Sequence, residues 1–315
     1  MLTKNPYYWN AANVKLDEIT YRMIPDPSTA LLAVEKGEID GSRELPQSEI
    51  PRLMAQSDAF QVMPTFAHTW YQFNVTAAPF DDVRVRKAFA LAIDRNELIQ
   101  NVVQSPAVPA TGLIPEGFVT SEGDFRKTGP TYDLLPTADV EAARALMAEA
   151  GYPNGEGFPD TELIYYTSPA VKKIAEALQQ MWKANLGVEL SIGTSEWKVY
   201  YEGVQRLEYQ ICAMGAGGDY LHPMTFFSGY VSDSPDNTLG WANADYDALY
   251  NKVKAEVDPD EAVRMMHELE DIFMNEMPLV PLYYRSTTLM LAPYVKGWRL
   301  DALNNLSFAG AYIEK

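Results

Sequence analysis

Between Glu162 and Met214 the apolar pattern switches repeatedly between a two-residue and a helical period, and this alternation constrains the fold more than any other stretch. Glu162–Tyr166 reads as a strand. Ser168-Pro169 opens a helix to Asn185 that carries Ile174, Leu178, Met181 and Trp182 on one face, and Gly187 closes it. Val188–Ile192 is a second strand, Glu196–Tyr201 begins a short helix, and Tyr209–Met214 is a third strand. Strand–helix–strand–helix–strand with short connections is a parallel-sheet unit of the doubly wound kind. Ligands of such sheets sit beyond the carboxyl ends of the strands, which here is the stretch from Gly215 to Asp219.

That stretch has chemistry of its own. The strand opens with apolar Ile211 and Cys212 and is expected to break into Gly215, Gly217 and Gly218, with Asp219 directly after. Glycine removes the Cβ, so another backbone can lie alongside. An open strand edge ending in a carboxylate suits an extended guest with a positively charged end. The same residues also describe an ordinary Gly-rich turn with a solvated Asp, and by themselves they leave both readings open.

Composition narrows the classes. The chain has 315 residues, enough for two domains or one large one, and 47% of them are hydrophobic, as in a globular protein. No run approaches the ~20 apolar residues of a membrane helix. A net charge of −18 argues against nucleic acid or an anionic membrane as partner. Cys212 is the only cysteine and sits in an apolar strand, as a buried, inert thiol would. His68, His222 and His267 are far apart, without metal-ligand spacing. GxSxG, P-loop and GxGxxG patterns are absent, so no metal, no cofactor and no catalytic residue is expected. The best acidic pair for a hydrolase, Asp81/Asp82, consists of adjacent residues that point apart, and Asp82 reads as a helix cap.

The remaining chain alternates α and β. Asp17–Ile24 reads as a strand, Asp26-Pro27-Ser28 as the cap of a helix ended by Gly37, and Gln47–Ala55 as an amphipathic helix. Gln61–Pro64 and Thr69–Asn74 read as two strands. After Ala78-Pro79-Phe80 a helix carries Val85, Phe89 and Ile93 on its apolar face, with Arg84, Arg86 and Lys87 on the other. Asp94 caps the next helix. Gln104–Pro136 reads as a long wrapping loop, and Thr137 as the cap of a helix that ends at Gly151. Helices at about Asp245–Ala255 and Asp260–Met274 precede a buried strand, Leu279–Tyr284.

Several of these segments, in this order, resemble the family 5 solute-binding proteins of ABC importers, the group that holds the oligopeptide- and dipeptide-binding proteins. They include Asn5-Pro6-Tyr7-Tyr8-Trp9, Gly37-Glu38-Ile39-Asp40 and the run from Pro79 to Ala88. They continue with Ala92-Ile93-Asp94-Arg95, Ala148 to Pro153, and Trp182 to Val188. Glu196-Trp197, Gly218-Asp219-Tyr220 and Val280-Pro281-Leu282-Tyr283-Tyr284 complete the set. The resemblance implies an α/β fold of the periplasmic-binding-protein-like kind (type II, cluster C), two lobes joined by a hinge with ligand enclosed between them, and no catalysis. It implies one complete lobe, 77–283, plus the remainder of the other, 1–76 and 284–315, with roughly the N-terminal third of a family member lying upstream. It further implies an extracytoplasmic receptor that passes oligopeptides to the permease subunits of an ABC importer. Contact with the membrane would then be indirect, or through a lipid anchor in the upstream part.

Residue by residue, the resemblance implies that Asp219 pairs with a peptide's α-amino group and that the backbone at Gly215 and Gly217 pairs with the guest strand. Trp197 matches a pocket-wall tryptophan, and Trp70, Tyr71 and Asn74 lie on the hinge strand facing the cleft. Positions that are basic in some tripeptide-preferring relatives are Val171, Val204 and Ala213 here, which argues against fixed reading of a short peptide's C-terminus. Oligosaccharide-binding members share the fold, and Trp70, Trp197 and Trp241 could stack sugar rings.

Overall fold

The computed structural model describes residues 1–314. In chain order its first elements are α1 (Pro27–Glu35), β1 (Gly41–Ser42), α2 (Ile50–Gln56), β2 (Phe60–Phe73), α3 (Val83–Leu91) and β3 (Val108–Pro109). Next come α4 (Val140–Glu149), β4 (Thr161–Tyr166), α5 (Pro169–Leu186), β5 (Leu190–Ser195), α6 (Trp197–Gln205) and β6 (Ile211–Gly217). α7 (Ala244–Ala255), α8 (Pro259–Glu276) and β7 (Leu279–Leu291) follow. The chain forms two compact units. The first holds Met1–Thr65, Gln104–Pro106 and the chain from Ser286 onward; the second holds Phe66–Val103 and Ala107–Arg285. The chain passes from one unit to the other within β2 and returns within β7.

In the first unit, Asp26 caps α1 by accepting the Thr29 N–H at 2.7 Å, with Pro27 at the first helical position. Leu31 and Val34 of α1 bury against Ile50 and Leu53 of α2, together with Phe60 and Met290. β1 pairs with the far end of β7, Ser42 opposite Met290 and Gly41 opposite Leu291. The strand expected over Asp17–Ile24 shrinks to Glu18–Ile19 against Leu2–Thr3, because little of that alternating segment is buried.

The second unit is built on the sheet order β7–β2–β6–β4–β5, with β3 attached to β7. β4 and β5 pair in parallel from Thr161–Leu190 to Tyr166–Ser195, and β6 joins β4 in parallel through Ile211 and Cys212. On its other side β6 runs antiparallel to β2. α5 buries Ile174, Leu178, Trp182 and Leu186, ends on Gly187 at φ +74°, and sends the Trp182 indole N–H to the Phe89 carbonyl at 2.9 Å. In the same core Phe73 stacks on Phe80, and Phe89 meets both rings edge-on. Cys212 is fully buried and its thiol pKa is pushed well up by burial, as expected of an inert cysteine.

Four local expectations need correction. β2 runs unbroken from Phe60 to Phe73, because Pro64 stands at an exposed position that costs no buried ladder bond. The cap of α4 is Asp139, which accepts the Ala142 N–H at 3.0 Å, and not Thr137. Arg86 is buried, not solvated: its guanidinium donates to the carbonyls of Phe80, Asp81 and Glu276. The helix expected after Asp94 narrows to Arg95–Glu97 and then a π-helical stretch, Leu98–Val103.

The long 104–136 segment is irregular as expected, but it is pinned. Glu270 of α8, fully buried, accepts the N–H groups of Leu113 (2.7 Å) and Ile114 (3.1 Å), and pairs with Arg126 at 2.5 Å.

Candidate functional site

β6 continues through the glycines that were expected to break it. Gln210 accepts the Asn74 N–H at 3.1 Å and Gly218 donates to the Phe66 carbonyl at 2.7 Å, so even-numbered residues of this strand turn their backbone groups toward β2. Successive residues of a strand present their N–H and C=O to opposite sides. Ala213, Gly215 and Gly217 therefore turn theirs to the β4 side, and β4 reaches only as far as Cys212. The Ala213 carbonyl is taken by the Tyr200 hydroxyl at 2.5 Å. Among the described residues no strand pairs with Gly215 or Gly217 on that side, so these two residues form an open edge.

Side chains on the two faces of this edge differ. The even face carries Met214 and Cys212, packed with Tyr166 and Tyr200. Tyr166 meets Trp197 edge-to-face at 5.1 Å, and Trp197, half exposed at the start of α6, stacks on Tyr201 at 5.3 Å. The odd face carries Tyr71, Thr69 and, reaching over from β7, Arg285. Arg285 donates Nε–H to Thr69 Oγ1 at 2.9 Å, and Thr69 is the cross-strand partner of Gly215. A Cβ built on Gly215 would overlap Arg285 Nη2. Just past the edge, Asp219 is exposed, and its N–H donates to Thr225 Oγ1 at 2.8 Å. Its carboxylate has no hydrogen-bond or ion-pair partner among the described residues.

Of the residues singled out from sequence, Gly215, Gly217 and Asp219 share this edge, Trp197 flanks its even face, and Tyr71 lies buried under its odd face. The Tyr71 hydroxyl has no hydrogen-bond partner among the described residues, and burial first, then the neighbouring Tyr283 and Tyr166, holds its pKa well up. Trp70 and Asn74 are not brought to the edge. Trp70 is buried with its indole N–H on Gln72 (3.1 Å). Asn74 bridges the Leu207 carbonyl (3.0 Å) and the N–H of Thr76 (3.1 Å) at the opposite end of β2. Trp241 is buried too, with its N–H on Glu276 at 2.7 Å. Sequence reading missed Tyr166 and Arg285, since neither lies near the glycines along the chain. Among the described residues no group of three His, Cys, Asp or Glu side chains is placed to hold a metal, and no helix is long and apolar enough to cross a membrane.

An exposed pair of backbone hydrogen-bonding residues lies here beside one terminal anion, with aromatic and cationic flanks, an arrangement whose chemistry suits an extended guest. The chain belongs to the bacterial extracellular solute-binding proteins, family 5, whose middle-region model matches residues 1–238. It is 31% identical to the oligopeptide-binding protein OppA of Bacillus subtilis, over 99% of this chain and 58% of that protein. It is 32% identical to the dipeptide-binding protein DppE of the same organism, over 94% of this chain and 54% of that one. Among solved structures, the complex of Haemophilus influenzae OppA with the peptide RPPGFSPFR matches with a TM-score of 0.73 and 27% identity, covering 99% of this chain and 61% of that one. The chain thus spans little more than half the length of these relatives. The periplasmic-binding-protein fold anticipated from the sequence is the fold of these neighbours, and the family is one of binding proteins found outside the cytoplasm.

Proposed function

We propose that this protein is the peptide-capturing receptor of an ABC importer, working outside the cytoplasm and delivering oligopeptides to the permease subunits. The second compact unit, in this reading, is the lobe that carries the guest strand, and the first belongs to its companion lobe. The observation that carries the proposal is the open edge at Gly215 and Gly217 with the unpaired Asp219 carboxylate at its end. A peptide running antiparallel to β6 would exchange backbone hydrogen bonds with both glycines and bring its α-ammonium to Asp219. Main-chain bonds of this kind are indifferent to side chains, which suits a receptor for many peptides. The names of the relatives, oligopeptide- and dipeptide-binding proteins, agree with it. An oligosaccharide receptor is less well supported, because Trp70 and Trp241 are buried with their indole N–H groups engaged and only Trp197 offers an exposed ring.

A charge-assisted hydrogen bond contributes roughly 1.5–3 kcal/mol, so Asp219→Asn should weaken peptide binding about tenfold to a hundredfold. N-acetylated peptide should lose much of the same energy. Titration calorimetry showing equal affinity for free and acetylated peptides would refute the role of Asp219.

A further inference from the structure

We propose that Arg285 makes this edge selective for guests that carry a carboxylate on the third residue from their N-terminus. The inference rests on the peptide reading above and deepens it. Gly215 and Gly217 are the two residues whose backbone faces outward, two positions apart on one strand. With the guest's ammonium at Asp219, its first residue lies opposite Gly217 and its third opposite Gly215. Directly opposed residues of an antiparallel pair place their side chains on the same face, with Cβ atoms about 5 Å apart. On that face, the space a Gly215 side chain would fill is occupied by the Arg285 guanidinium, held there by its Nε–H bond to Thr69. The third guest side chain therefore points toward a fixed guanidinium, whereas the second points to the other face, toward Met214, Tyr166 and Trp197.

The chemistry that a guanidinium recognises best is a carboxylate, met with paired N–H donors. This 315-residue chain carries a net charge of −18, which repels acidic guests at long range. A cation placed at one guest position offsets that repulsion for one class of peptide only. The carboxylate comes from an Asp or Glu side chain at position three; the C-terminal carboxylate of a tripeptide continues along the strand, in the plane of its backbone hydrogen bonds, and not onto the face that Arg285 covers. The glycine explains itself in the same way, since any larger residue at 215 would displace Arg285.

The test is calorimetry on the protein with Ala-Ala-Glu-Ala, Ala-Ala-Gln-Ala, Ala-Glu-Ala-Ala, and the tripeptide Ala-Ala-Ala as free acid and as amide. Glu at position three should bind about tenfold tighter than Gln there, and tighter than Glu at position two. Arg285→Gln should erase the preference, and Arg285→Lys should keep part of it; thermal melts of both check that they fold. The tripeptide acid and its amide should respond alike to Arg285→Gln, and a preference for the acid that is lost in that variant overturns the side-chain reading of position three. If Arg285→Gln does not fold, the comparison of positions two and three in the wild type decides the matter. Peptides that bind with no preference at position three, or with a preference that survives in Arg285→Gln, overturn the role of Arg285 and leave peptide capture standing. A protein that binds none of the five overturns the peptide reading itself.

Discussion

His68 should make this protein lose stability in mild acid, and replacing it with Phe should remove much of that loss. The ring is buried on the even face of β2, 4.4 Å from Trp70 and edge-on to Phe226 at 5.5 Å, and neither ring nitrogen has a hydrogen-bond partner among the described residues. Burial first, and the positive charge of Arg285 second, push its pKa down from 6.5 to about 3. The folded protein therefore keeps His68 neutral across the range in which the unfolded chain takes up a proton. Because the unfolded state then binds more protons, stability falls as pH drops below 6.5, and the loss is complete only near pH 3. At pH 4.5 the gap of two pH units corresponds to about 2–3 kcal/mol, at 1.36 kcal/mol per unit. Carboxylates add their own acid sensitivity, but equally in wild type and variant. His68→Phe keeps a flat ring between Trp70 and Phe226 and discards both unbonded nitrogens. Urea unfolding followed by tryptophan fluorescence at pH 7 and pH 4.5 should thus favour the variant by about 2–3 kcal/mol more at the lower pH. The same difference between the two proteins at both pH values would refute the argument.

Two further substitution pairs follow from the same geometry. Gly215→Ala forces Arg285 aside and should cost about tenfold in affinity for a peptide with Glu at position three, whereas a Cβ at Gly217 lies 3.3 Å from the Phe66 carbonyl and should change it by less than about threefold. Calorimetry distinguishes the two, and equal losses would show that the guanidinium is not what the methyl displaces. Arg126→Met leaves Glu270 charged and fully buried without its counter-ion, which should destabilise the protein by about 3–5 kcal/mol in thermal melts. Gly112→Ala, whose Cβ would overlap Arg126 Nη1, should destabilise in the same direction, and a neutral effect of both would exclude the buried pair as the anchor of this segment.

What could be read from sequence is what short-range physics determines. The caps at Asp26, Asp82 and Asp94 each accept an N–H two or three residues on, and are visible in any window that holds them. Gly187 closing α5 and the parallel strands around it are legible for the same reason, since turn chemistry and apolar period suffice. A periodicity argument misplaces Arg86 because it treats every charge as a vote for solvent. Its guanidinium instead caps carbonyls at Phe80 and Asp81 and at Glu276, the last of them 190 positions away. Arg95, on which the local pattern is silent, is also fully buried: it donates to the carbonyls of Pro281, Leu135 and Ala90, and desolvation lowers its pKa to about 10. Pairings such as Arg126 with Glu270 and Arg285 with Thr69 depend on which strands and helices become neighbours, and no local pattern encodes that.

The edge itself shows how the two kinds of information combine. From sequence, three glycines after a short strand look like the place where the strand stops. In the folded chain, β2 supplies a full antiparallel partner from Ala67 to Phe73, and this holds Gly215 and Gly217 extended although glycine weakens a strand. β4 supplies a partner only as far as Cys212, and the Tyr200 hydroxyl then occupies the Ala213 carbonyl, so pairing on that side ends two residues before the first outward-facing glycine. A strand kept in register by one neighbour and released by the other presents backbone groups to solvent in fixed positions. Such an edge invites another chain to pair, and proteins ordinarily protect it. Here the protection is partial: Arg285 lies across Gly215 on one face, the Tyr166–Trp197 pair flanks the other, and Asp219 puts a negative charge at the end. These groups are placed where they would hinder indiscriminate strand pairing, and in the proposed function the same groups would read an incoming peptide, so protection and selectivity would fall to one set of side chains.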